Sequence, residues 1–305
     1  MKNPLKKLLT FFFKRTPTVN ERLTTHWKIL SMREYSEQTI RLKQHYSCIF
    51  SKEYGDRRLD EITRLELQEW LLQRAKSTPA HTRSVMIFIR DFYREAIIDG
   101  LTEKNPIEHI RLPRTTVRRK RLTREEFWRI LNKLDEGHYL KLAIKLAITT
   151  AQRRADIVKM KFSDVWDDCL HIIQQKGMRK HPKYIEIPLT FKSPLLKQTL
   201  GEIIDECRKY SSSDLMIENT QGKRVDRSSL STGFQYYRDN PEGVGEPSFH
   251  EIRSLAEREY KVIGVNTQAL LGHTSSRMTD GYNDTRELPI YKHVTFPANT
   301  CSPPQ

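Results

Sequence analysis

The sequence has 305 residues and a mass of 36.1 kDa, which is enough for two domains with separate cores. It has 53 Lys and Arg against 38 Asp and Glu, and the resulting net charge of +15 predicts a polyanionic partner such as nucleic acid. No apolar run approaches the roughly 18 residues that a membrane span needs. The four cysteines form no C-x-x-C pair, which argues against a disulfide scaffold or a Cys-based zinc site, and isolated thiols are typical of a reducing cytosol.

The N-terminal segment, residues 1–20, is basic around a short apolar block. The block is interrupted by Thr10 and is followed by Lys14 and Arg15, so it lacks the length and the small-residue cleavage site of a signal peptide. We interpret it as a basic lead-in rather than an export signal.

Residues 21–112 have the pattern of an all-helical domain. Apolar residues recur at about 3.6-residue spacing over 36–54. Thr63 and Glu66 form a capping box, and Pro79 marks the first position of a further helix.

A basic linker is predicted over 113–122. Seven of the fourteen residues in 111–124 are Arg or Lys and none is acidic, whereas a merely solvated hinge more often mixes charge signs. Thr123 with Glu126 forms another capping box, which begins a second domain, 123–287.

The second domain mixes helices and strands, and a tail of residues 288–305 follows it. A buried helix is predicted over 140–149, and a β-hairpin is predicted from strands at 169–174 and 184–189. Further helices are predicted at 193–210, 227–239, 249–262, 266–271 and 275–282. The fold class expected for the whole chain is mainly α with a small β-sheet.

Six residues of the second domain are candidates for catalysis, and they are Arg153, Lys176, His250, Arg253, His273 and Tyr282. Taken singly, each has an ordinary explanation, such as an arginine that stabilises a helix end. The signal lies in the complete set, in this order, on a basic chain.

The sequence around these residues resembles that of the tyrosine recombinases, and among them the lambdoid-phage integrases. The matching segments include TAQRRADIVKMKFSDV, PSFHEIRSL and LLGHTS, and the likeness covers about residues 22–282. The resemblance implies a helical, SAM-like core-binding domain and a mixed α+β catalytic domain. It also implies a phage or mobile-element integrase that cleaves and rejoins duplex DNA through a 3′-phosphotyrosine intermediate, without metal, ATP or another cofactor.

The chemistry of a phosphodiester explains the two arginines and the tyrosine. Arg153 and Arg253 can each clamp nonbridging phosphate oxygens through a planar guanidinium, which stabilises the added negative charge of the transition state. Tyr282 supplies the phenolic nucleophile.

The remaining candidates handle protons or position other groups. Lys176 would protonate the leaving 5′ oxygen, His250 would accept the phenol proton, and His273 would hydrogen-bond a phosphate oxygen. Asp156, one helical turn after Arg153, is expected to hold an active-site side chain in place.

Two assignments have neighbouring alternatives. Lys180 also lies on the hairpin tip, although Lys176 follows the strand directly as the family lysine does. Arg154 adjoins Arg153, but the Gln-Arg order favours Arg153.

The resemblance also implies how DNA is bound. The two domains would form a C-shaped clamp around duplex DNA, and four protomers would recombine two attachment sites through a Holliday junction in the cytoplasm of a bacterial host, at the nucleoid. Phosphate contacts set affinity rather than sequence choice. The candidates for these contacts are Arg118, Arg119, Lys120, Arg121 and Arg179.

The chain departs from lambda-type integrases at its N-terminus. Those proteins carry an extra domain there for arm-type sites, whereas only about 20 residues precede the helical domain here. The use of arm-type sites and of an accessory DNA-bending or excision protein is left open. Residues 1–20 can be a remnant of that domain, a helix that packs on a neighbouring protomer, or disordered.

Three other functions would require different sequence features. A type IB topoisomerase uses similar chemistry and would relax DNA without a specific site. A DNA-binding regulator without catalysis would show a gap in the set of six residues, and none is visible. A metal-dependent nuclease would need a carboxylate cluster and would lose activity in EDTA.

Overall fold

The computed structural model describes residues 15–112, 120–174, 182–240, 243 and 245–273. The chain divides into two compact units, Met1–Val117 and Arg118–Gln305, and the division falls inside the predicted linker. The described residues are mostly helical with one three-stranded antiparallel sheet. The predicted fold class is therefore confirmed.

The first unit consists of helices whose starts are visible in the sequence. The helices are α1 (Val19–Ser31), α2 (Glu37–Tyr54), α3 (Arg64–Ser77) and α4 (Pro79–Ile98). Thr63 and Glu66 form the predicted capping box of α3, in which each side chain accepts a hydrogen bond from the other residue's backbone N–H. α4 begins with Pro79 at its first position, as predicted.

A polar pair lies inside the aromatic core of this unit. The His26 ring is 1% exposed and meets Phe88 and Phe92 edge to face, with centroid separations of 5.9 and 5.3 Å. Arg22, one helical turn earlier, is 2% exposed and forms a 2.6 Å ion pair with Asp99. Burial, and next the charge of Arg22, lower the pKa of His26 to about 4.

The second unit surrounds one strongly apolar helix, α6, of which all residues after the first are buried. The other helices pack around the sheet and this helix. The elements in chain order are α5 (Arg124–Asn132), α6 (Tyr139–Thr150), α7 (Arg154–Ile157), β1 (Val165–Trp166), β2 (Cys169–Ile173), β3 (Tyr184–Pro188), α8 (Leu200–Tyr210), α9 (Arg227–Tyr236), α10 (His250–Val262) and α11 (Thr267–Leu271).

The sheet has the strand order β1-β2-β3, and both pairings are antiparallel. Leu170 pairs with Ile187 and Ile172 pairs with Ile185, and all four side chains are buried. This period-2 alternation turns one face of the hairpin to the core. The predicted hairpin is present, and its tip, 175–181, lies outside the described residues.

Two predicted helices are shorter in the structure. The helix expected over 193–210 begins at Leu200, because Thr199 and Glu202 form a capping box there and Lys197 has a left-handed backbone (φ 60°) that a helix cannot include. The helix expected over 227–239 ends at Tyr236. The piece expected at 275–282 lies outside the described residues.

Within the described part of the chain, no helix combines the length and the apolarity needed to cross a membrane.

Candidate active site

Arg153 follows a sharp turn at the end of the buried helix α6. Ala151 ends that helix in the left-handed conformation (φ 53°), which redirects the chain. Gln152 then points inward and is 1% exposed, while Arg153 is half-buried and precedes the short helix α7. The turn thus places one glutamine and one arginine side by side at the base of the site.

Arg253 lies one turn into α10 and is 1% exposed. Its Nη1 donates to the carbonyl oxygen of Ala151 and its Nη2 to that of Leu271, both at 2.6 Å. Both acceptors lie at the C-terminal ends of helices, where the helix dipole is negative and favours a cation. The guanidinium is therefore held from two sides by the backbone.

His273 meets the same guanidinium. It follows α11 after Gly272, whose left-handed backbone (φ 60°) ends the helix, and it is 7% exposed. Its Nε2 lies 3.3 Å from Nη2 of Arg253. Because a guanidinium only donates hydrogen bonds, Nε2 of His273 is the acceptor in this contact. Arg253 and His273, two of the predicted residues, are thus in direct contact.

A pair of buried glutamines, which the sequence analysis missed, connects Arg153 to this group. Arg153 Nη1 donates to Oε1 of Gln174 at 2.9 Å. Gln174, which is fully buried, donates from Nε2 to Oε1 of Gln152 at 2.7 Å and to the carbonyl of Leu271 at 3.1 Å. The Leu271 oxygen therefore receives hydrogen bonds from both Gln174 and Arg253.

His250 and Asp156 occupy contrasting positions. His250 is the first residue of α10 and is exposed, whereas Arg253, one turn later, points into the core. Asp156 is 3% exposed in α7, and its backbone N–H donates to the carbonyl of Arg153 at 2.8 Å. The buried carboxylate suits the predicted supporting role, and an exposed imidazole suits proton transfer to or from a bound partner.

The hairpin that carries the predicted lysine is anchored next to His273. The backbone N–H of Gln174 donates to the carbonyl of Lys183 at 3.0 Å, and Lys183 Nζ donates to the carbonyl of Gly272. Five of the predicted site residues lie outside the described residues, and they are Lys176, Tyr282, Arg118, Arg119 and Arg179.

The linker end is bound to α10. Lys120 is exposed and its Nζ lies 2.8 Å from Glu246, which raises the pKa of the lysine. Arg121 is 8% exposed and donates from Nη1 to Glu251 at 3.0 Å and to Ser254 at 2.9 Å. The position of Lys120 suits a phosphate contact. That of Arg121 does not favour one, because its guanidinium is buried and already engaged by Glu251 and Ser254.

Tyr260, also on α10, is unsuited to nucleophilic attack. Its hydroxyl donates to the carbonyl of Thr149 at 2.7 Å, it is fully buried, and burial raises its pKa well above the ordinary value. Among the described residues, no group of three His, Cys, Asp or Glu side chains could hold a metal ion.

Together, two guanidinium groups and one imidazole converge on the loop ends 151–153 and 271–273. Such a cluster offers charge and hydrogen-bond donors to a bound phosphate oxygen. This arrangement can stabilise a phosphoryl-transfer transition state.

Comparisons with known proteins agree with this chemistry. Residues 120–288 match the phage integrase family. The integrase of Enterobacteria phage P21 is 34% identical over 275 residues, which cover 84% of this chain and 70% of that integrase. The prophage integrase IntE of Escherichia coli K12 is 38% identical over 218 residues, which cover 67% of this chain and 56% of IntE.

A solved structure of lambda integrase is also similar. In that structure a tetramer is bound to a Holliday junction, and its chain superposes with a TM-score of 0.85 at 27% identity. The match covers 96% of this chain and 84% of the lambda integrase chain.

Proposed function

Because the chain belongs to the phage integrase family, it is a site-specific tyrosine recombinase, and we propose that it integrates and excises the DNA of a phage or mobile element. The observation that carries this proposal is the cluster of Arg153, Arg253 and His273, which share one hydrogen-bond network through Gln174 and Leu271. Such a cluster is suited to the anionic transition state of phosphodiester transfer.

The proposed cleavage is a transesterification. The phenolic oxygen of Tyr282 forms a bond to phosphorus while the bond to the 5′ oxygen breaks. The phenol proton passes to His250, and Lys176 supplies a proton to the leaving oxygen. Because one phosphodiester is exchanged for another, the step needs no ATP. The arginines supply the positive charge that a metal ion supplies in metal-dependent nucleases.

The proposed partners are DNA and further copies of the chain. Lambda integrase forms a tetramer on a Holliday junction, and we propose the same for this chain, as a homotetramer on two double-stranded attachment sites. In this proposal the helical domain, 21–112, binds the core site and 123–287 carries out catalysis. Arg118, Arg119, Lys120 and Arg179 are proposed contacts to the phosphate backbone.

The proposal is tested by covalent trapping. The protein is incubated in EDTA with a nicked duplex that carries the junction sequence of the element encoding it, and the products are separated on a denaturing gel. We expect a protein–DNA adduct whose peptide, mapped by mass spectrometry, contains Tyr282. No adduct on DNA that is demonstrably bound would overturn the proposal, and a requirement for a divalent cation would contradict its metal independence.

A pair of variants tests the nucleophile. Tyr282→Phe should retain DNA binding but form no adduct, because it keeps the ring and loses the attacking oxygen. Tyr184→Phe is the matched control, since Tyr184 is a surface tyrosine, 73% exposed, at the start of β3. An adduct that survives in Tyr282→Phe would remove Tyr282 from this role.

A further inference from the structure

We propose that Gln174 is a positioning residue that holds the two active-site arginines in one geometry and ties them to the base of the β2–β3 hairpin. The inference rests on the proposed function. Gln174 itself does not touch DNA in this proposal. It acts through Arg153 and through the carbonyl of Leu271.

The side-chain amide of Gln174 uses both of its ends. Oε1 accepts from Arg153 at 2.9 Å, and the two hydrogens of Nε2 go to Gln152 at 2.7 Å and to Leu271 at 3.1 Å. The residue is fully buried, so water does not compete for these bonds. A glutamine amide combines these donors and this acceptor in one rigid plane.

The contact at Leu271 extends the network to the second arginine. Its carbonyl also accepts from Nη2 of Arg253 at 2.6 Å, and the same Nη2 lies 3.3 Å from His273. A shift of Gln174 would therefore move Arg153 directly and would change the acceptor that orients Arg253. One side chain thus couples residues that are 100 positions apart in the sequence.

Two neighbouring residues, Gln152 and Gly272, pack closely against the amide of Gln174. Gln152 Nε2 is itself fixed by the carbonyls of Thr150 at 2.9 Å and Leu270 at 2.8 Å, so its Oε1 can only face Gln174. A Cβ at Gly272 would lie 2.9 Å from Oε1 of Gln174. The network therefore has space for the Gln174 amide and for little else.

The position of Gln174 in the chain explains why the hairpin is included. Gln174 is the residue directly after β2, and its backbone N–H donates to the carbonyl of Lys183 on the opposite side of the hairpin base. Gln174 therefore links the base of the hairpin to Arg153. Lys176, which lies outside the described residues, is two positions later in the sequence.

The test uses the full-length protein and the nicked duplex described above, in single-turnover cleavage. Gln174→Met keeps the length of the side chain and removes all three hydrogen bonds. We expect the cleavage rate to fall about 10- to 100-fold with DNA affinity nearly unchanged, since a misplacement of about 1 Å near reacting groups has effects of this size. Gln221→Met is the matched control, because Gln221 is exposed in a loop of the same unit.

A double-mutant cycle separates positioning from general damage. If Gln174 acts through Arg153, the Met substitution should slow Arg153→Lys much less than it slows the wild type. An equal factor in both backgrounds would assign Gln174 a merely structural role and overturn the proposal.

A second variant covers the case in which Gln174→Met unfolds. Gln174→Asn keeps the amide but shortens the side chain by one methylene, so that it cannot reach Arg153, Gln152 and Leu271 together. We expect slow cleavage with a smaller loss of stability than in Gln174→Met, because an amide still meets part of the buried polar groups. If the wild type forms the Tyr282 adduct and this variant cleaves as fast, the inference fails and the proposed function stands. If the wild type forms no adduct, the proposed function itself fails.

Discussion

We expect position 253 to require arginine because of the direction of its hydrogen bonds, and not only because of its charge. Nη1 and Nη2 reach carbonyls on two different helix ends, at Ala151 and Leu271. A lysine has one nitrogen on a flexible stem and cannot span both acceptors while facing a phosphate. With a lysine at this position, one of the two buried carbonyl oxygens would also be left without a hydrogen bond.

Arg253→Lys should therefore lower the single-turnover cleavage rate by at least about 100-fold, the usual effect of losing a transition-state donor. The rate is measured on the nicked duplex at saturating protein. Arg129→Lys serves as the control, because Arg129 is 57% exposed and pairs with Asp239 on the surface. Near-normal cleavage by Arg253→Lys would contradict the argument from two-sided binding.

His26 makes the stability of the first unit dependent on pH. Its pKa is about 4 in the folded chain and 6.5 without the fold, with burial as the main cause and Arg22 as the next. Lys43 and Arg33 lower the pKa further, and Glu95 opposes them. The unfolded chain therefore binds a proton more readily, so stability is full above about pH 6.5 and is lost as the pH falls towards 4.

The difference corresponds to about 3 kcal/mol of the free energy of unfolding. Urea titrations at pH 7 and pH 4.5 should show most of this loss in the wild type. His26→Leu should show a smaller pH dependence over the same range, because the titrating group is gone. Equal pH dependence of the two proteins would remove His26 as the cause.

The sequence predicts the ionisable residues of the site better than it predicts the uncharged residues that hold them in place. The family pattern identifies Arg153, Arg253 and His273, and the structure brings these three together. Gln152 and Gln174 are not predicted, because an uncharged amide does not stand out in a charge or hydrophobicity pattern. The carbonyls that they bind, at Leu270 and Leu271, are also distant in the sequence. His250 and Arg253 lie three residues apart in the sequence, but His250 begins α10 and is exposed, whereas Arg253 is buried.

At the scale of elements, local signals predicted helix starts well. Thr63 and Thr123 each cap a helix together with a glutamate three residues later, as predicted. The helix start at Leu200 was nevertheless placed too early, because apolar residues at 195 and 196 continue the periodic pattern although they pack from a loop. Periodicity records burial, and a loop can bury apolar residues as well as a helix can.

Gly272, which ends α11, allows a test of its close contact with Gln174. Gly272→Ala should lower stability by about 1 kcal/mol because of its positive φ, and it should also slow cleavage, since the new Cβ would displace Gln174. Gly264→Ala is the matched control. Gly264 has a φ of 79° and no atom within 4 Å of the added Cβ.

Gly264→Ala should therefore lose similar stability and cleave at the wild-type rate. Unfolding temperatures and single-turnover rates of the two variants provide the comparison. Equal rates in both variants would show that the contact between residues 272 and 174 has no effect on catalysis.

At the scale of the whole molecule, the net charge of +15 predicts an affinity for DNA that falls steeply as the salt concentration rises. Each phosphate contact contributes about 0.9 to the slope of log affinity against log salt. Replacing both Arg118 and Arg119 with glutamine should lower that slope by about 2. Arg121→Gln should leave the slope unchanged, because Arg121 is buried against Glu251.

The slopes are measured by fluorescence anisotropy with a labelled duplex between 50 and 300 mM salt, about a sixfold range that resolves a change of this size. Arg121→Gln should instead lower the unfolding temperature, since it leaves the Glu251 carboxylate buried without its partner. A lower slope for Arg121→Gln at unchanged stability would restore Arg121 as a phosphate contact.

The attachment of the linker end to α10 has a mechanical consequence. Arg121 binds Glu251 near the start of this helix, Arg124 binds Glu259 two turns later through two hydrogen bonds of 2.6 and 2.7 Å, and Arg258 donates to the carbonyl of Leu122 at 2.7 Å. Tension on the chain before Lys120 is therefore distributed along the length of the helix. A pull from that side would therefore load several points of α10 at once, and not only the turn that carries His250 and Arg253.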